Sequence, residues 1–316
     1  MTKYILLAIL FWGHSRLYGQ QSDYTICDCC TYSIFQYKND YDNVFPPTTI
    51  KNNGVRELTI YTTSRQSKSS KDTTYAIVDP EYREMTFLFN SAGYVETQIV
   101  FNRRGHYHSV YDYTRDNNNK VLTKTFHYLD ETGKKMEDFI PEKWIYTYSD
   151  NRLTKIKKLD NKFIEQPDNK SDYTAYIYDY KGRATIETRQ LYYDWTESTY
   201  YQTKTKYNDT SNTSIATTRD RKKVFSIVKT KYTTNQKPVN EKFYDGRNNK
   251  LLQDENFTYN SEGQLIKYQV KNSGMGTECP DGGNFQNIII YSDLKLIDRI
   301  RHQYKNTVCE LRFVYK

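Results

Sequence analysis

Phe257-Thr-Tyr-Asn-Ser-Glu-Gly-Gln-Leu-Ile-Lys-Tyr-Gln-Val270 carries the unit that most of this chain repeats. Phe257 and Tyr259 alternate with Thr258, which puts both rings on one face of a strand, and Ile266, Tyr268 and Val270 alternate again after a break. A turn lies between them. Asn260 can accept a hydrogen bond from its own downstream backbone, and Gly263 at the fourth turn position can take the left-handed conformation that closes a type I turn with a bulge. The stretch predicts a β-hairpin.

The same grammar recurs in Phe87-Leu-Phe-Asn-Ser-Ala-Gly-Tyr-Val95 and in Tyr176-Ile-Tyr-Asp-Tyr-Lys-Gly-Arg-Ala184. Gly93, Gly182 and Gly263 are therefore the predicted turn glycines. Looser copies follow Phe126, Tyr146, Phe243 and Ile290, and Asp150-Asn151 is suited to a two-residue turn because Asn tolerates positive φ. Tyr178-Asp179-Tyr-Lys-Gly182-Arg183 and Tyr259-Asn260-Ser-Glu-Gly263-Gln264-Leu265 resemble the Tyr-Asp repeat of bacterial RHS/YD-repeat proteins, over roughly residues 54 to 316. The resemblance implies a fold of serial hairpins. It implies little about function, since such repeats build toxin-enclosing shells, adhesins and small envelope proteins, and this chain is too short for a closed toxin cage.

The expected fold is all-β: antiparallel hairpins forming a long twisted sheet or a partly closed roll, with a β-sandwich as the alternative. Thr and Tyr abundance favours strands over helices. Thirty-two tyrosines in a chain only 37% hydrophobic supply half-buried surface whose hydroxyls can stay wet. Strand edges would then need capping by charge, a disulfide or a partner. Ser64 to Asp72 and Asn272 to Asn284 read as polar and Gly-rich loops.

Residues 1–19 read as a secretory signal peptide, with Lys3 before the apolar run Ile5 to Trp12 and Leu17-Tyr18-Gly19 as the cleavage site. Residues 20–53 form an N-terminal Cys-containing segment and 54–316 the repeat domain. No cysteine sits where a lipobox would need it. In an oxidising compartment, Cys27, Cys29, Cys30, Cys279 and Cys309 are disulfide candidates. At least one bridge is expected to join the 27–30 cluster to Cys279 or Cys309; a zinc site is the alternative, without the paired spacing that suits one.

Net charge is +8, modest for a nucleic-acid binder, and no nucleic-acid partner is assigned. Basic residues such as Lys155, Lys157, Lys158, Arg219, Arg221, Lys222 and Lys223 fit solvated sheet faces or contact with an acidic envelope partner. His106 and His108 are spaced to share one metal ion, with Asp112 or His127 near, but a complete ligand set is not legible and no metal or cofactor is assigned. Asp138, Glu142, Glu187, Asp194 and Glu197 show no spacing that singles out an acid and its partner. Trp144, Trp195, Tyr259 and Tyr268 are the candidate partner contacts. The expected function is an exported, non-catalytic protein-binding or structural subunit of the cell envelope, periplasmic and associated with an outer-membrane secretion assembly. The alternatives are a carbohydrate-binding module or glycoside hydrolase, and a fragment or partner of an RHS-type toxin system.

Overall fold

The computed structural model describes residues 45–67, 75–102, 105–193, 197–220, 223–272, 284–304 and 307–316. A short helix α1 (Pro47–Asn52) leads into β1 (Glu57–Ser67), β2 (Tyr75–Phe89), β3 (Val95–Phe101), β4 (Tyr107–Arg115), β5 (Val121–Tyr128) and β6 (Glu142–Ser149). Then come β7 (Arg152–Lys158), β8 (Tyr173–Tyr178), β9 (Ala184–Tyr193), β10 (Glu197–Asn208), β11 (Thr213–Asp220) and β12 (Lys223–Tyr232). The chain ends with β13 (Pro238–Asp245), β14 (Leu251–Tyr259), β15 (Leu265–Asn272), β16 (Phe285–Tyr291), β17 (Ile297–Tyr304) and β18 (Thr307–Tyr315).

Every strand pairs antiparallel with the next in sequence. β1 also pairs antiparallel with β18, from Leu58↔Tyr315 to Gln66↔Thr307, so the sheet closes into an 18-stranded up-and-down barrel. All-β hairpin architecture is as the sequence predicts, and neither a sandwich nor an open twisted sheet forms. Closure also removes the free edges expected from the sequence, because each described strand has a neighbour on both sides. Ser64, read as the start of a polar loop, is a buried strand residue opposite Cys309.

Alternation sorts the side chains. On β11, Ser214, Ala216 and Thr218 are buried while Ile215 and Arg219 are exposed. The densest core lies at the closure seam, where Leu58 and Ile60 meet Met85 and Phe87 on one side and Leu311 and Phe313 on the other. Phe45, Ile50 and Val55, carried on and around α1, cover this seam; the Phe45 ring centroid lies 5.3 Å from that of Phe87 and 6.2 Å from that of Phe89.

Because strands alternate in direction, the connections fall into two sets. Those after even-numbered strands share one end of the barrel with α1 and the C-terminal Lys316, and all are short. At Asn260, the predicted turn forms in full: Gly263 N donates to Asn260 O, Gln264 N donates to Asn260 Oδ1 at 2.8 Å, and Gly263 has φ +77°. Asn119, Gln236 and Lys295 take the same left-handed place without being glycine, and Asp150-Asn151 both have positive φ, as expected.

The tyrosine before most of these turns has a role that composition hides. Tyr148 donates its hydroxyl to Val121 O, Tyr178 to Leu153 O at 2.6 Å, Tyr207 to Ala184 O at 2.9 Å, and Tyr259 to Pro238 O at 2.9 Å. Tyr291 and Tyr315 repeat the bond to Leu265 O and Ile297 O. Each acceptor opens the preceding strand, which joins its neighbour only at the far end of the barrel, so the hydroxyl staples two hairpins together. In β4 the place is taken by Arg115, whose Nε donates to Val95 O at 3.2 Å. These hydroxyls are bonded to protein rather than wet. Tyr178→Phe is expected to cost about 1 kcal/mol through its unpaired carbonyl; urea unfolding measures it, and exposed Tyr180→Phe should cost nothing.

Candidate functional site

The connections after odd-numbered strands vary in length, from short turns such as 102–106 to the long segments 129–141 and 159–172. Those joining β5 to β6 and β7 to β8 stand side by side and expose Phe139 (48%), Ile140 (58%), Phe163 (43%) and Ile164 (55%) to solvent. Beneath them a recess of about 290 Å³ is lined by Ile140, Pro141, Glu142, Lys158, Leu159, Asp160 and Asn161. The rim is apolar where a chain tip is usually polar.

From that rim an aromatic and cationic wall runs inward across β4 to β7. Register sets it: Tyr113, Lys124, Trp144 and Lys158 are successive cross-strand partners, and Tyr111, Phe126 and Glu142 form the adjacent row. Lys124 Nζ lies 4.3 Å from the Tyr111 ring centroid, 5.8 Å from Tyr113 and 5.7 Å from Trp144. Lys158 Nζ is 5.7 Å from the same indole and 2.7 Å from Glu142 Oε1. Tyr111, Phe126, Tyr128 and Phe139 form a chain of ring contacts with centroids 4.8 to 5.1 Å apart, leading out to the rim. Burial pushes the Lys124 ammonium down to about 8, against the opposing pull of Glu142. It therefore remains largely cationic at neutral pH, held by ring faces as well as by charge.

Farther round the wall, Tyr176 and Glu187 are cross-strand partners. Burial pushes the Glu187 carboxyl up to about 7, with Arg189 opposing. Both wall segments combine large rings with ionisable groups, an arrangement that suits recognition of a polar or charged chain by stacking and charge.

Of the residues singled out from the sequence, Trp144 lies at the centre of this wall. Tyr259 and Tyr268 are eight and nine strands away: Tyr259 is one of the turn staples, and Tyr268 packs between Phe257 at 5.1 Å and Phe285 at 6.0 Å. Trp195, Cys27, Cys29, Cys30 and Cys279 lie outside the described residues. Cys309 is buried and disulfide-bonded to a partner also outside them. Asp112, a candidate neighbour of the histidine pair, instead binds Lys135 at 2.8 Å and Thr97. Lys124 and Phe126 were missed. Their signal was Lys124-x-Phe126-x-Tyr128, three positions on one strand face.

No protein-family model and no curated protein matches this sequence. Among solved structures, a porin-like protein from Bacteroides uniformis is similar at 8% identity and TM-score 0.39, covering 83% of this chain and 98% of that one. The TcdB2-TccC3 complex without its hypervariable C-terminal region is similar at 13% identity and TM-score 0.27, covering 79% of this chain and 14% of that one. A LolA superfamily protein from Nitrosomonas europaea aligns over 86% of this chain and 90% of that one, at 11% identity and TM-score 0.19. Function has to be argued from this chain's own residues. Among the described residues no helix is long and apolar enough to cross a membrane. The barrel's outer wall is a separate matter: Lys204, Lys206, Lys229 and Lys231 point outward and are exposed. A lipid-facing position near the bilayer midplane would cost each of them about 2–4 kcal/mol.

Proposed function

We propose that this chain is an exported, non-catalytic binding protein of the bacterial cell envelope, which receives a segment of another protein at the irregular end of its barrel. The observation that carries the reading is the continuity between the exposed Phe139, Ile140, Phe163 and Ile164 rim and the Tyr111, Lys124, Phe126 and Trp144 wall behind it. An apolar rim desolvates the entering segment, and a wall of rings and ammonium groups holds its side chains or its carboxylates. Export rests on the leader-like residues 1–19. Association with an outer-membrane secretion assembly is the setting in which such an accessory would act.

A photo-crosslinking residue at position 139 is expected to capture a discrete envelope protein in cells, whereas one at Tyr180, exposed at the opposite end, captures none. Equal labelling from both ends, or none from position 139, contradicts the reading. The carbohydrate alternative draws support from Trp144, but two lysine ammoniums already lie against that indole, leaving it poorly open as a sugar platform. Saturable binding on a glycan array would revive it.

A further inference from the structure

Farther round the barrel, the outward positions of β10 to β13 carry Lys204, Lys206, Arg219, Lys229, Lys231 and Lys242, and no carboxylate. The acids of these strands face the other way: Glu241 and Asp245 are buried on the inner side. Elsewhere the barrel matches its cations, as in Lys135 with Asp112, Lys155 with Asp168, Arg301 with Glu310 and Arg312 with Glu81, all at 2.6 to 2.8 Å. Within the basic wall, the one ion pair among the described residues is Lys242 with Asp254, at 3.8 Å.

Register makes the imbalance sharper. Lys206, Ile215, Lys229 and Lys242 are successive cross-strand partners, so Lys229 and Lys242 stand directly opposite each other. Like charges in that relation destabilise a sheet. The Tyr244 ring, 4.7 Å from Lys229 Nζ, and the distant Asp254 beside Lys242 offset this only in part, and a bound anion would remove the repulsion. Ile215 (46%) is exposed among the cations.

We infer that the outer wall of β10 to β13 docks on a bilayer surface bearing anionic phospholipid headgroups. Three features choose this partner. The wall is the outer face of a barrel, so it meets a surface rather than enclosing a small ligand. Five of the six cations are lysines, point charges suited to a diffuse field of phosphates rather than to the forked recognition that arginine gives a single one. The exposed Ile215, between Lys206 and Lys229, reaches where an interfacial apolar contact forms once the charges have docked. The inference is independent of the loop-end site, which lies on other strands.

Cosedimentation of the purified protein with phosphatidylcholine vesicles, with and without phosphatidylglycerol, tests it. Binding is expected only with phosphatidylglycerol, and should fall as salt is added. Each lysine near an anionic surface contributes roughly fivefold in partitioning, so the triple variant Lys204→Gln, Lys229→Gln, Lys231→Gln should lose roughly a hundredfold. Lys134→Gln, Lys162→Gln, Lys170→Gln removes the same charge from exposed loop positions and should change little. Circular dichroism confirms that both variants fold, and the salt titration of the unaltered protein stands if one does not. Failure to bind phosphatidylglycerol vesicles, equal loss in both variants, salt-insensitive binding, or capture of soluble dextran sulfate in preference to vesicles overturns the inference. The crosslinking result at position 139 is unaffected by any of these.

Discussion

Replacing Phe87 by Ala is expected to lower the stability of the barrel by about 3–5 kcal/mol. Phe87 is fully buried, it faces Leu58 across the pair that begins the closure seam, and its ring contacts Phe45 beside α1. Truncation removes contacts from β1, β2 and the helix together, and strands hydrogen-bonded on both sides cannot collapse freely into the space left. Urea unfolding followed by far-ultraviolet circular dichroism measures the loss. Leu122→Ala, at a position 42% exposed, should cost well under half as much, and equal costs would mean that the core does not lie at the seam.

Gly93→Ala is the second large effect. Gly93 has φ +87°, and a β-carbon there would lie 2.2 Å from Pro47 O and 3.0 Å from Lys51 N, both backbone atoms of α1. The left-handed conformation alone costs a non-glycine residue about 1–2 kcal/mol. Forcing α1 off the turn adds about 1–3 kcal/mol more, because Ile50 and its neighbours leave the seam with it. About 2–5 kcal/mol in all is therefore expected. Gly105→Ala isolates the conformational part: φ is +75° and no atom of the described residues lies within 4 Å of the added carbon, so about 1–2 kcal/mol should be lost. Gly263 is intermediate, since its close neighbour is the Lys237 ammonium, which can swing away. The three glycines that look equivalent in sequence thus differ by what stands opposite them.

That difference marks what the sequence could reveal. The hairpins were legible because their cause is local: Asn260 and Gly263, or Asp179 and Gly182, set the turn within five residues. Even there, Gln236 and Lys295 occupy left-handed positions that nothing in their chemistry announces, and the surrounding turn holds them. Closure was legible only as far as a partly closed roll; the meeting of the first strand with the last was not. Leu58-Thr-Ile60 and Leu311-Arg-Phe313 each read as an ordinary alternating strand, and whether the first meets the last depends on how twist and stagger accumulate across every intervening pair. The tyrosine staples share this property, since Tyr178 and Leu153 O are brought together by two strands lying side by side. Trp144 stood out as a rare ring. Its lysine neighbours come from β5 and β7, and only register places Lys124 and Lys158 against it.

The closed barrel is the claim on which the seam, the missing edges and the two unlike ends all depend, and residue-resolved amide hydrogen exchange tests it without altering the chain. In a closed barrel every strand has neighbours on both sides, so amides across 58–66 and 307–315 should exchange as slowly as those of β2 and β17. Rapid exchange at every second amide along β1 and β18, the signature of two free edges, would contradict it.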